Sequence, residues 1–267
     1  MHKLLFLLFL SPISILFAQT SWTKAWEIEL GENSVWDVDQ AGNVYLFNKE
    51  IIQKIDTLGK ARLSQSAKSF GNISKIDAAN WLKIAVFSEE QQQVCYLDNA
   101  LAIQPNCIDL AEKGIVLAIN FATSQQTDRI WVYDQLNSEL QLITLRSNQR
   151  QIIQNLRSLI ELGNIEQLFE YQNTLYMTDD VGQLAMFDNF GSFISGITYG
   201  GSYLQPYAKG MLFSNGNTII ARNNDSEKEV SFYAPAENMT SPVVKFHFTG
   251  KLLFIEQNKQ LVCLKLL

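Results

Sequence analysis

The chain has 267 residues, of which 47% are apolar, 11% aromatic and 18% charged, with 14 Gly and 5 Pro. That is enough for a full hydrophobic core and too little Gly and Pro for a disordered or collagen-like polymer. The formal charge of -6, with no run of basic residues, excludes a nucleic-acid surface built on Lys and Arg and a polybasic membrane anchor.

The first element is apolar. Lys3 precedes residues 4–10, then Ser11-Pro12, then residues 13–17 and the small Ala18. A basic start, an apolar centre and a small residue at the end make a secretory signal peptide, residues 1–18, cleaved after Ala18. Residues 4–18 would rise about 22 Å as a helix, short of a hydrocarbon core of about 30 Å. The product is then a single domain, residues 19–267, placed in the periplasm or secreted, with no transmembrane segment. Its net charge is -7, from 20 basic and 27 acidic residues once Lys3 is removed, and His247 is its one histidine.

Six similar units follow. Each has a leading strand and then two apolar runs joined by a polar turn, which reads as a β-hairpin. In chain order they are residues 35–38 with 44–47 and 51–55; 73–76 with 82–87 and 94–97; and 116–121 with 130–133 and 140–145. The remaining three are 165–169 with 175–177 and 184–187; 211–213 with 219–221 and 230–233; and 243–248 with 252–255 and 261–264. A fourth strand follows several of them, at 61–63, 103–110 and 193–197. Four antiparallel strands repeated about every 41 residues (249 divided by six) predict an all-β, six-bladed β-propeller. The last unit ends without an outer strand, whereas residues 26–30 precede the first unit and belong to no hairpin. The last blade is therefore closed by an N-terminal strand, which removes the open edge of the ring.

Three local features need separate readings. Asp56, Asp98 and Asp188 each follow a strand end, as Asp39 and Asp77 do on the other connection, and are expected to close turns by accepting backbone amides. Residues 150–162 carry apolar positions at helical spacing, and form either a short helix covering one mouth of the channel or an outer strand with a loop. Cys95, Cys107 and Cys263 are odd in number. A hairpin with Leu97 opposite Ala100 would place Cys107 far from Cys95, so all three are expected as buried thiols.

Motifs for chemistry are few. There is no Gly-x-Ser-x-Gly elbow, phosphate loop or dinucleotide fingerprint, and one histidine is too few for a catalytic zinc site. Asp179-Asp180-Val181-Gly182 has only the start of a calcium loop. No catalytic residue, metal ligand or cofactor is assigned. The connectors between second and third strands carry Glu50, Glu89, Glu90, Asp134, Glu139, Asp179, Asp180, Asp225, Glu227 and Glu256, against Lys49, Lys228 and Lys259. They are either solvated turns or an acidic face that steers a basic protein partner.

Asp39-Gln40-Ala41-Gly42-Asn43-Val44-Tyr45 with Ile55-Asp56-Thr57-Leu58-Gly59 resembles the NHL and related six-bladed propeller repeats. The resemblance implies a rigid ring of loops used as an interaction module. The chain also looks like exported single-domain propellers of gram-negative envelopes, some of which dock on outer-membrane protein-export machinery as plug or gating subunits. The alternative that the family offers is a metal-dependent lactonase-like hydrolase or lyase, with its site in the channel.

Overall fold

The computed structural model describes residues 21–98, 100–147, 149–223, 228–235 and 241–267. The signal-peptide reading of residues 1–18 lies outside them. Strand β1 (Trp22–Glu29) comes first. Blade one is β2 (Val35–Val38), β3 (Val44–Asn48), β4 (Ile51–Ile55) and β5 (Ala61–Ser66). Blade two is β6 (Lys75–Asp77), β7 (Ala85–Ser88), β8 (Gln93–Tyr96) and β9 (Ile108–Asp109). Blade three is β10 (Ala118–Thr123), β11 (Arg129–Asp134), β12 (Glu139–Thr144) and β13 (Gln149–Ile153), followed by α1 (Leu156–Leu159). Blade four is β14 (Ile165–Tyr171), β15 (Thr174–Asp179), β16 (Gln183–Asp188) and β17 (Phe193–Thr198). Blade five is β18 (Leu204–Tyr207), β19 (Gly210–Asn215), β20 (Thr218–Asn223) and β21 (Glu229–Tyr233). Blade six is β22 (Lys245–Phe248), β23 (Leu252–Gln257), β24 (Gln260–Leu266) and, as its outer strand, β1.

The core explains why the second and third strands are apolar without alternation. Successive side chains of a strand point to opposite faces, and here both faces meet another blade. In β3, Val44 and Leu46 pack with Phe254 of blade six, while Tyr45 and Phe47 pack with Ile76 and Val86 of blade two. In β11, Ile130 and Val132 join Phe87 of blade two, and Trp131 and Tyr133 join Leu168 and Met177 of blade four. Outer strands are more exposed, and in β5 every residue is exposed.

Near the axis, each inner strand ties itself to the next blade through one side chain. Asp37 accepts the Ala78 amide at 2.7 Å, and Asp77 accepts that of Thr123 at 2.7 Å. Asn120 donates to the Glu166 carbonyl at 3.0 Å. Gln167 bonds both backbone groups of Leu204, and Gln205 both of Phe248. Lys245 donates to the Trp36 carbonyl and completes the circuit.

The chain ends close the ring as expected. Strand β1 pairs with β24 from Trp22 opposite Leu266 to Glu29 opposite Gln260. Trp26 also reaches blade one, donating to the Thr57 carbonyl at 3.1 Å and packing on Gly59. A Cβ at residue 59 would lie 2.7 Å from the Trp26 ring, and φ there is +78°, so this turn requires glycine on both counts.

The aspartate turns form as expected. Asp56, Asp98 and Asp188 each accept two amides, from the residues two and four positions on. Residues 150–162 combine both readings, because β13 is an outer strand and only the single turn α1 is helical, with Leu156 buried against blade four.

Two expectations are corrected. In blade five the inner strand is β18, one strand earlier than the sequence pattern suggests. Its Leu-Gln-Pro-Tyr reads poorly as a strand, but the innermost strand has a free edge, where Pro206 breaks no ladder. The second correction concerns cysteine: Cys95 and Cys107 form a disulfide, with Cα atoms 4.3 Å apart. The turn is longer than a tight hairpin, so Leu97 pairs with Ile103 and not Ala100. Residues 104–106 then bulge, and the ladder resumes with Ile108 opposite Val94, which puts Cys107 opposite Cys95. Cys263 remains a buried thiol, its pKa pushed up to about 12 by desolvation.

Deleting residues 22–29 exposes both the β24 edge and the face of blade one, so a cooperative thermal transition should be lost. A deletion variant that melts like the parent would contradict ring closure by β1. Replacing Cys95 and Cys107 together by Ala should cost about 3 kcal/mol, the effect of opening a short cross-linked loop. Urea denaturation measures this, and the reductant sensitivity of the parent should vanish in the double variant.

Candidate functional site

Antiparallel blades send their connections to two faces. The turns between second and third strands, and the loops from one blade to the next, emerge on what we term the upper face. The channel between the faces is lined by β2, β6, β10, β14, β18 and β22, whose sequences hold charges in otherwise apolar strands: Val-Trp-Asp-Val, Lys-Ile-Asp and Lys-Phe-His-Phe.

These charges converge at the axis. The Lys75 ammonium donates to Asn120 Oδ1 at 2.7 Å, to the Phe121 carbonyl at 2.5 Å and to the Leu168 carbonyl at 2.6 Å, reaching from blade two to blade four. Burial pushes its pKa down to about 8, opposed by Asp77 and Asp37. Asp77 is buried and its pKa is raised by desolvation, although Lys75 and the amides of Thr123 and Ala79 favour its charged form. His247 Nδ1 lies 3.9 Å from Asp37 Oδ1. Desolvation lowers the His247 pKa, Lys245 lowers it further, and Asp37 and Asp39 oppose the shift, so the imidazole is neutral at neutral pH. Tyr203 stands at the same place with its edge on Phe246, its hydroxyl pKa raised by burial and by Asp37.

Two ammonium groups, Lys75 and Lys245, thus face two carboxylates, Asp37 and Asp77, and each is bonded to backbone. A buried charge left without a partner is costly, so this balance is what permits a polar axis. No three His, Cys, Asp or Glu side chains among the described residues are placed to hold a metal ion. Of this set the sequence marks His247 and, as a turn closer, Asp77, but not Asp37, Lys75 or Lys245. The visible signal is a charge at alternate positions of a short apolar strand next to a blade hairpin.

The ten acidic residues separate into groups. Asp134 and Asp179 are fully buried and are corrected from surface to scaffold. Asp134 accepts the amides of Val116 and Leu117, and Asp179 those of Gly163, Val181 and Gln183, which fixes the loops leading into β10 and β14. Glu256 accepts the Trp36 indole N–H at 2.6 Å across the ring-closing interface. Asp180 is held by Asn164, and Glu139 by Gln141 and Gln154. Glu50, Glu89 and Glu90 are exposed, and their carboxylates have no hydrogen-bond or ion-pair partner among the described residues. Asp225 and Glu227 lie outside the described residues. With β18 as inner strand, Lys228 precedes the fourth strand of blade five and not the third.

Glu89 and Glu90 border a cleft of about 330 Å³, together with Asn72, Ser74 and Leu117. Ser74 and Leu117 immediately precede inner strands β6 and β10, so the cleft opens on the upper face beside the channel mouth.

Solved structures of the same architecture match nearly the whole chain. Virginiamycin B lyase from Staphylococcus aureus superposes with a TM-score of 0.62 at 10% identity, covering 92% of this chain and 100% of that one. The chain is a six-bladed β-propeller. The WD40 domain of Neurospora crassa Pan2 gives 0.61 at 9% identity, covering 91% and 95%, respectively. BBS1N, solved in complex with ARL6DN, gives 0.54 at 13% identity, covering 84% of this chain and 75% of that one. No protein-family model matches the chain, and neither does any curated protein. Propellers serve both as enzymes and as binding platforms, so this likeness fixes the fold and leaves the activity to the site.

The lowered His247 pKa has a definite sign. As pH falls below about 6.5 the unfolded chain takes up the His247 proton before the folded one, so stability declines there. His247→Gln removes that contribution. The difference in unfolding free energy between parent and variant should shift in the variant's favour from pH 7 to pH 5, and a pH-independent difference would contradict a partly buried, neutral imidazole.

Proposed function

We propose that the protein is a non-catalytic propeller of an oxidising compartment outside the cytoplasm, where it acts as a protein-interaction module. The observation that carries this reading is the axis. Its charges balance one another and are bonded to the backbone of neighbouring blades, which leaves the loop faces to meet other molecules. The compartment is supported by the signal-like residues 1–18 and by the Cys95–Cys107 disulfide, a bond that persists where thiols are not kept reduced. In its narrowest form the proposal is an NHL-like propeller in the periplasm of a gram-negative envelope, serving as an accessory plug or gating subunit of an outer-membrane protein-export complex. The rigid disc held together around its axis is suited to seating on a pore or receptor.

A second reading has one specific observation in its favour. His247 sits beside Asp37 in the channel, and one of the similar structures is a catalytically inactive virginiamycin B lyase with a histidine replaced by alanine. A lyase-like or metal-dependent lactonase-like site would use that pair.

Tagged full-length protein, expressed in its source and recovered from the envelope fraction, distinguishes the two. The first reading expects a chain beginning at Gln19 and stoichiometric co-purification of an outer-membrane protein. Retention of residues 1–18 in a cytoplasmic product, or no co-purified protein above an untagged control, overturns it. A stoichiometric divalent ion in the purified protein would favour the second.

A further inference from the structure

We infer that the upper face of blades two to four docks a partner segment in which basic and apolar side chains alternate. The inference rests on the interaction-module reading and specifies its partner. Four apolar side chains stand exposed there, where collapse onto the core would otherwise be expected: Val116 at 55%, Leu136 at 67%, Leu159 at 39% and Val181 at 64%. Hydrogen bonds hold their loops in that posture. Asp134 fixes the backbone at Val116 and Leu117, and the Gln135 amide bonds the Leu117 carbonyl, which joins the Leu136 turn to the same loop. Gln154 bonds Glu139, joining the blade-three hairpin to the loop that carries Leu159. Asp179 holds both Gly163 and Val181. The surface is therefore continuous from the cleft of blade two to the hairpin of blade four.

Its charge selects the occupant. Glu89 and Glu90 border the cleft, their carboxylates without a partner among the described residues, and Glu112, Glu161 and Asp180 are exposed on the same loops, against the cations Lys113 and Arg150, the latter lying on Gly114. Excess carboxylate at the rim repels anionic lipid and nucleic acid and attracts Lys or Arg. The cleft suits one long basic side chain, its stem on Leu117 and its head at Glu89 and Glu90. Neighbouring apolar residues of the same segment would cover Val116 and Leu136. An acidic cleft alone would bind any cation weakly, whereas the fixed apolar side chains beside it demand a segment that carries both chemistries.

Fluorescence anisotropy on the mature chain tests this with three labelled decapeptides, alternating Lys–Leu, Lys–Ser and Glu–Leu. Lys–Leu should bind, and Lys–Ser and Glu–Leu should bind at least tenfold more weakly. Glu89→Gln with Glu90→Gln, and separately Leu136→Asp, should each weaken Lys–Leu about tenfold, with the melting transition of each variant checked against the parent. The affinity of the parent, but not of the double Gln variant, should fall steeply between low and high salt. Equal binding of Lys–Ser, insensitivity to both substitutions, or tight binding to vesicles of anionic lipid would overturn the inference. Envelope co-purification keeps its failure distinct. A double Gln variant that still recovers the outer-membrane partner overturns this surface and leaves the module reading standing, whereas a parent that recovers none removes the reading itself.

Discussion

The structure depends on a bond that recurs at all six blade interfaces, from a side chain of one inner strand to the backbone of the next blade. Asp37, Asp77, Asn120, Gln167, Gln205 and Lys245 make it in turn. Apolar packing between blades is non-directional and would tolerate sliding of one sheet over another. A hydrogen bond to a fixed amide or carbonyl does not, so these six contacts set the register in which the six apolar layers meet. Because the layers form a ring, an error at one interface is carried to the others, and closure by β1 makes the set complete.

The same requirement shapes the axis. Inner strands crowd one another with few partners from solvent, so any polar group placed there must be paired within the ring. Lys75 meets this by bonding two carbonyls and an amide oxygen of two other blades, and Lys245 by bonding Trp36. The carboxylates of Asp37 and Asp77 then favour the charged form of Lys75. A channel organised in this way ties the blades to one another, and the remaining acidic side chains stand on the loops. There too, much of the acidity is structural. Asp134, Asp179 and Glu256 serve as internal acceptors, and the exposed remainder includes Glu50, Asp180 and the Glu89 and Glu90 that border a cleft.

Much of this was legible from residue order. Paired apolar runs with polar turns gave the blade count, and residues 26–30 were recognisable as a strand without a hairpin. The recurrent aspartates were recognisable as turn closers because each accepts an amide two residues on. Blade five was displaced by one strand because Pro206 disguises β18, and a proline is harmless only at an edge that the sequence does not mark. The disulfide was missed because a register count assumes an unbroken ladder, whereas the 98–102 turn and the bulge at 104–106 shift Cys107 to Cys95.

By itself, then, the sequence determined what acts locally: strand period, turn chemistry, the number of units and the net charge, since each depends on neighbours within a few positions. The tertiary structure alone decided which acids are surface and which are scaffold, and which cysteines meet. It also assembled the axial set from Asp37, Lys75, Asp77 and Lys245, residues scattered over some two hundred positions. The physical reason is the ring, which brings the starts of six inner strands to one axis and makes neighbours of residues that share no segment.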